Sequence, residues 1–307
     1  MVRIIAFLAG LGFAGVLLIS LLITLVGYVK SPPEATAEHA YFKEPKHLAL
    51  ASDGLFGRFD RQQVQRGLQV YTEVCSGCHS LKLVAFRDLR ELGYSEAEVK
   101  KYALDYKTEV PSINPDTGEP ATRKAIPSDY FPSPYANDIA GRAANNNALP
   151  PDLSLMTKAR EGGAAYVYSL LTGYQEQPAA LIKQFPGSKT PDGLYYNPYF
   201  ANLNTAMPSP LVSEGQVTYA DGTKPTVDQM AKDVAAFLVW TAEPKLENRH
   251  RAGIAVLIFL LIGTVLAYMA YQNIWASAKR KVAPKGPLKP GNKARRSRAK
   301  DKAGIGG

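Results

Sequence analysis

The chain has 307 residues, enough for one or two ordinary domains, and a formal net charge of +9. That charge is unevenly placed: the residues after 278 hold eleven Lys and Arg against Asp301 alone, which leaves residues 38–278 at a net −2. No aromatic residue interleaves the basic run, so a folded nucleic-acid reader is excluded and a topology signal beside a membrane takes its place.

Residues 4–28 form a charge-free apolar run, and residues 252–271 form a second. At about 1.5 Å per helical residue, each is long enough to cross a hydrocarbon layer of about 30 Å. Lys and Arg beside a membrane helix are retained on the cytoplasmic side. The basic tail at 275–307 is therefore expected inside and the body at 38–250 outside. The tail is rich in Gly, Pro and Ala after Pro284 and is expected to be disordered. Anionic lipid headgroups suit its charge. The first apolar run exceeds the about 7–15 residues usual for a signal peptide, which favours a retained anchor. Ala35-Thr36-Ala37, by contrast, is a small-x-small pattern suited to cleavage after Ala37. Both readings stay open. The expected organisation is a signal peptide or signal anchor at 1–37, an outer domain at 38–250, an anchor helix at 251–274 and a basic tail at 275–307.

Within the outer domain, residues 61–75 read as a helix, with Val64, Leu68, Tyr71 and Cys75 recurring at spacings of three and four. Asp60 is placed to cap it, with Gln63 three residues on. Gly67 lowers helix propensity by about 1 kcal/mol relative to Ala, which a close approach by another element would explain. Residues 107–155 hold many Pro, Asn, Ser and Asp and read as a long irregular excursion packed around something. Residues 152–173 read as one or two helices broken at Gly162-Gly163, and 176–225 as loop-rich. Residues 226–241 make the best helix, capped by Thr226 and striped by Met230, Val234, Phe237, Leu238 and Trp240. No alternating strand pattern is visible.

The only two cysteines stand in Cys75-Ser76-Gly77-Cys78-His79. Two thiols at this spacing can each add to a haem vinyl group, and the adjacent imidazole then projects toward the iron; C-x-x-C-H is the attachment pattern of c-type haem. A structural zinc site wants four Cys or His ligands, and beyond the motif only His39, His47 and His250 remain. A thioredoxin-like pair wants a strand–helix context. A plain disulfide stays possible in an oxidising compartment.

An iron held by one His needs a sixth ligand or stays open, and a Met thioether is the common partner in electron-transfer cytochromes, where it raises the potential. Of the five methionines, Met1 is the initiator, Met269 lies in the second apolar run and Met230 sits on a core stripe. Met156 is a weaker candidate. Met207, in Asn204-Thr205-Ala206-Met207-Pro208-Ser209-Pro210, sits on a proline-stiffened loop that has little entropy to lose. A gap-filling role for Met207 is the alternative. Arg142 is a candidate for a charge-assisted contact with a haem propionate, or else a solvated surface cation.

The ordered set of motifs resembles the cytochrome c1 family from about Gly54 to Trp275. It comprises Arg66-Gly67-Leu68-Gln69-Val70-Tyr71 ahead of the haem motif, Arg142-Ala143-Ala144-Asn145-Asn146, Leu149-Pro150-Pro151-Asp152-Leu153-Ser154, Tyr196-Asn197-Pro198-Tyr199-Phe200, Met207-Pro208, and Ala231-Lys232-Asp233-Val234 running on to Trp240-Thr241-Ala242-Glu243-Pro244. The resemblance implies a mainly α fold: a cytochrome c-like haem domain with long irregular insertions, a C-terminal transmembrane helix and an N-terminal hydrophobic signal or anchor segment. It implies one covalent haem c on Cys75 and Cys78, axial ligands His79 and Met207, and Arg142 near a propionate. It implies electron entry from a Rieske iron–sulfur protein, exit to a soluble cytochrome c, and docking on cytochrome b. The chain would then be an electron-transfer subunit, not itself an enzyme, of a quinol–cytochrome c oxidoreductase in a bacterial inner membrane, with the haem domain periplasmic and the tail cytoplasmic. Some bacterial relatives carry an additional disulfide; this chain has no cysteines for one, so its excursion is expected to be held by packing alone. The competing readings are a stand-alone tethered c-type carrier, a haem sensor with a displaceable ligand, and a non-haem protein with a Cys75–Cys78 disulfide.

Overall fold

With no charge between Ile4 and Tyr28, nothing interrupts the first apolar run, and helix α1 spans Val2–Lys30 with no buried residue. The structure, a computed structural model, describes residues 2–30 and 35–281, with side chains to 276. The tail beyond 281, where disorder is expected from composition, lies outside the described residues. The chain divides into two units at Pro244–Lys245.

Thr36 accepts a hydrogen bond from the His39 amide (3.2 Å) and caps the short helix α2, Ala37–Tyr41. Ala37 is buried in a small cluster with Leu181, Tyr196 and Leu203. The small-x-small pattern is thus part of the folded body.

Helix α3 spans Arg61–Glu73, and Asp60 caps it by accepting from the Gln63 amide (3.2 Å). Its buried face carries Val64, Leu68 and Tyr71, as the periodicity predicts. The chain then tightens into a 3-10 turn at Cys75–Gly77 and runs into strand β1, Leu81–Ala85. Helix α4, Glu96–Asp105, starts in a capping box in which the Glu98 carboxylate accepts the Ser95 amide (2.7 Å) and Ser95 Oγ accepts the Glu98 amide (3.3 Å).

The excursion at 107–155 is more ordered than its composition suggests. Strands β2 (Val110–Ile113) and β3 (Pro120–Arg123) form an antiparallel hairpin, and β4 (Tyr130–Phe131) pairs with β1. Packing alone does not hold it. Asp129 takes a two-pronged contact from Arg123 at 2.6 and 2.8 Å and accepts the Ile126 amide at 2.8 Å. Helix α5, Asp138–Ala144, follows, capped by Asn137.

Helices α6 (Met156–Ala159) and α7 (Gly163–Leu171) are separated at Gly162 and Gly163, which take φ of 79° and 51°; the expected break is there because only Gly enters that region without strain. Helix α8 (Ala179–Gln184) and strands β5 (Tyr195–Tyr196) and β6 (Asn204–Thr205) occupy the loop-rich stretch. The strands escape a sequence reading because most are two to four residues long, too short for a period of two to register.

Helix α9, Val227–Ala242, is capped by Thr226, which accepts from the Gln229 amide (3.0 Å). Met230, Val234, Phe237, Leu238 and Trp240 are all buried. Helices α3 and α9 cross at Gly67, where an added Cβ would run into the Asp233 carbonyl oxygen and Phe237 Cβ. The Phe237 ring lies 5.7 Å from Tyr71 and 5.8 Å from Trp240. Beside the crossing, the fully buried Asp233 carboxylate pairs with Arg66 (2.9 Å) and accepts from Gln229 (2.8 Å), while Arg66 also reaches Asp221 at 2.7 Å. Removing one partner of such a buried pair costs about 3–5 kcal/mol.

The second unit is described by helix α10, Leu246–Lys281. It begins five residues before the expected anchor. Both α1 and the Leu246–Ala276 stretch of α10 are long and apolar enough to cross a membrane.

Candidate haem site

Because α3 is pinned on α9, the turn at its C-terminus is presented in a fixed place. The Cys75 carbonyl accepts both the Cys78 amide (3.1 Å) and the His79 amide (2.9 Å). In a 3-10 turn, side chains three residues apart eclipse, so the two cysteines share one side. Both are free thiols, Cys75 half-buried and Cys78 exposed. Burial and the neighbouring Cys78 push the Cys75 thiol up to about 12. Ser76 ties the turn back to α3 through the Thr72 carbonyl (2.7 Å). The wholly buried Tyr71 donates its hydroxyl to the His79 carbonyl at 2.9 Å.

The His79 ring has one of its nitrogens engaged. Nδ1 lies 2.8 Å from the Pro151 carbonyl oxygen. A carbonyl only accepts, which assigns the proton to Nδ1 and leaves the Nε2 lone pair available. Burial lowers the imidazole's pKa, outweighing Pro151 and Asp152, and so favours the neutral form, the one that binds metal.

The Pro151 carbonyl is itself held. The Asp152 carboxylate accepts Ser80 Oγ (2.8 Å) and the Lys82 amide (2.7 Å) on one oxygen, and the Ser154 amide (2.9 Å) on the other. Burial opposes ionisation of Asp152, but donors from Ser154, Lys82 and Ser80 outweigh it and hold the carboxyl below the usual range. The Leu153 amide donates to the Ser80 carbonyl (2.9 Å), and the Leu83 amide donates to Ser154 Oγ (3.1 Å). The segment 150–154 is thereby strapped alongside the residues that follow His79.

Met207 packs half-buried against the same core as Cys75 and Met156. Its amide donates to Thr205 Oγ1 (3.2 Å) and its carbonyl accepts from Tyr174 (3.0 Å), so the loop is pinned on both sides of the residue. Met230 is fully buried on α9. Arg142 is exposed on α5. Its guanidinium donates to the Asn147 carbonyl (3.2 Å), across a turn in which Asn146 and Asn147 take φ of 49° and 62°. It has no acidic partner among the described residues, so most of its donors are free for an anion. Cys75, Cys78 and His79 therefore share one turn, and Met207 packs against the same core as Cys75. Arg142 stands on its own element.

The Pro151 carbonyl, Asp152 and the Tyr71 hydroxyl are not legible as site groups in the sequence. Pro150-Pro151-Asp152 reads as a chain breaker and as part of the family resemblance, but no spacing rule says which carbonyl will face an imidazole. Among the described residues no group of three or more His, Cys, Asp and Glu side chains is arranged to hold a metal ion by itself. The donor set fits haem c: two unpaired thiols on one side of a turn, followed by a neutral imidazole with its outer nitrogen free.

A mainly helical body with this thiol–thiol–imidazole turn and a long apolar helix after it defines a membrane-anchored c-type haem protein. Residues 50–278 match the cytochrome C1 family. The chain is 45% identical over 235 residues to a cytochrome c1 of Rhodospirillum rubrum, covering 74% of this chain and 85% of that one. It is 43% identical over 243 residues to the mitochondrial cytochrome c1 heme protein of Saccharomyces cerevisiae, covering 79% and 75%. It is 47% identical over 240 residues to a cytochrome b/c1 of Bradyrhizobium diazoefficiens, covering 73% of this chain and spanning about a third (34%) of that relative's length. The chain belongs to the cytochrome c1 family, and with it to the c-type haem proteins of electron transport.

Proposed function

We propose that the chain is the haem-carrying electron-transfer subunit of a cytochrome bc1 complex, taking single electrons from a Rieske iron–sulfur protein and passing them to a soluble cytochrome c. When bound, the haem iron supplies reversible one-electron transfer. The chain's own residues do the rest. Cys75 and Cys78 would hold the haem through two thioether links. His79 offers Nε2 to the iron while Nδ1–H stays on the Pro151 carbonyl. Met207 would offer its thioether from the pinned loop as a second ligand, and a group so held would supply outer-sphere electron transfer and no substrate site. Arg142 offers unpaired donors to a propionate.

The observation that carries the reading is the His79 Nδ1 to Pro151 contact at 2.8 Å beside two free thiols. It fixes the tautomer a ligating histidine needs. The body at 38–250 is assigned to the periplasm and the basic tail to the cytoplasm, with the Leu246–Lys281 helix as the anchor and the contact to cytochrome b. The test is carbon monoxide added to the reduced, detergent-purified protein and to Met207→Leu. The native spectrum should not change, and the variant should bind the gas. Ready binding by the native protein would replace the carrier with a ligand sensor.

A further inference from the structure

We propose that Asp152 is the positioning residue for His79: its carboxylate fastens the 150–154 strap so that the Pro151 carbonyl stays on Nδ1 and sets the donor strength of the imidazole. The inference rests on the reading of His79 as an iron ligand.

Pro151 cannot hold itself in place. It has no N–H, and its carbonyl is already directed at the ring. The anchoring falls to the next residue. Asp152 gathers three donors, two of them from residues 80 and 82, immediately after the ligand. The Leu153 to Ser80 bond and the Leu83 to Ser154 bond extend the same seam. Ligand and strap therefore move as one piece, with the carboxylate at its centre.

The consequence is electronic as well as mechanical. A hydrogen bond from Nδ1–H to a fixed carbonyl leaves more electron density on Nε2 and strengthens the ligand toward ferric iron. Without Asp152, three donors lose their acceptor, the strap loosens, and the Nδ1 bond lengthens. The imidazole becomes a weaker donor, and ferric iron loses stabilisation relative to ferrous.

The experiment is an equilibrium redox titration of the full-chain holoprotein, comparing native protein with Asp152→Ala, Asp152→Asn and Ser80→Ala. The midpoint potential should rise in all three, most in Asp152→Ala. A tenfold change in the ferric-to-ferrous ratio at fixed potential corresponds to about 59 mV for a one-electron couple; Asp152→Ala should approach it, and Ser80→Ala, which removes one donor and leaves two, should show a fraction. Asp129→Asn is the control, because Asp129 gathers donors in the same way but from Arg123 and Ile126 and from neither the turn nor the strap; it should lower stability and leave the potential alone. Equal shifts in the control and in Asp152→Ala, or no shift in the milder Ser80→Ala and Asp152→Asn, overturn the positioning role. His79→Gln separates the two ideas. If it too leaves the low-spin spectrum intact, the ligand reading has failed and the proposal with it. If it abolishes that spectrum while the Asp152 variants keep the native potential, only the positioning is wrong.

Discussion

Gly67 sits where α3 crosses α9, and the smallest side chain would meet backbone there. Gly67→Ala should therefore destabilise by about 1–3 kcal/mol or more, although Ala is the better helix former. Urea unfolding followed by far-UV circular dichroism reads it; an unchanged or higher midpoint would mean that the helices do not touch at this point. This glycine was legible, since a Gly inside a good helical pattern asks for a reason. Leu203 was not. It takes a φ of 63° while almost fully buried, held between the Phe200 carbonyl that its amide reaches and the Asn197 amide that reaches its own carbonyl, both at 2.8 Å. Nothing in a leucine signals left-handed backbone; the β5–β6 turn imposes it. His79 shows the same divide. Its candidacy as a ligand can be read from Cys-x-x-Cys-His, but the hydrogen bond that sets its tautomer comes from a carbonyl 72 residues on.

Helices with long periodic faces, α3 and α9, appear with the caps their sequences announce, Asp60 and Thr226. Thr226→Ala removes an acceptor from the Gln229 amide and should cost about 1 kcal/mol, readable as a lowered thermal midpoint with an unchanged haem spectrum. The excursion was misjudged because its order comes from pairings between residues several positions apart. Asp129 is the centre of one. Chiefly the Arg123 fork, with the Ile126 amide, holds its carboxyl below the usual carboxylate range against the opposing effect of burial. A depressed folded pKa gives stability that is present above the unfolded value of about 3.9 and lost as pH falls through the folded value. Asp129→Asn should therefore lower stability near neutral pH and flatten its decline in acid, seen by thermal melting between about pH 5 and pH 2. Parallel curves for native and variant would show that the fork carries no stability.

For the whole molecule, charge and anchorage are separated along the chain. The 38–278 stretch is slightly acidic and the tail strongly basic. If the proposed acceptor is a basic cytochrome c, an acidic body would steer it, and its reduction should slow as ionic strength rises; stopped-flow rates independent of salt would mean that charge does not steer the encounter. The N-terminal question also acquires a physical handle. A chain beginning at Glu38 would lack buried Ala37 and the Thr36 cap of α2, and it should melt below the intact chain. The two long apolar helices, the Cys75–His79 turn and the main helix pair were all legible because each has a local signature. The strap, the short sheets and the ion-pair fork were not, because they join residues outside any helical or strand period, six apart in the fork and 72 in the strap, by groups that any loop contains.

The central claim is a haem covalently bound through Cys75 and Cys78. It is tested most directly by extracting the purified protein with acid and acetone and recording the pyridine haemochrome spectrum of the precipitated chain. Haem that stays with the protein, with the spectrum of two saturated vinyl groups, is the predicted result. Haem that leaves with the solvent would contradict the attachment and, with it, the carrier function built on that turn.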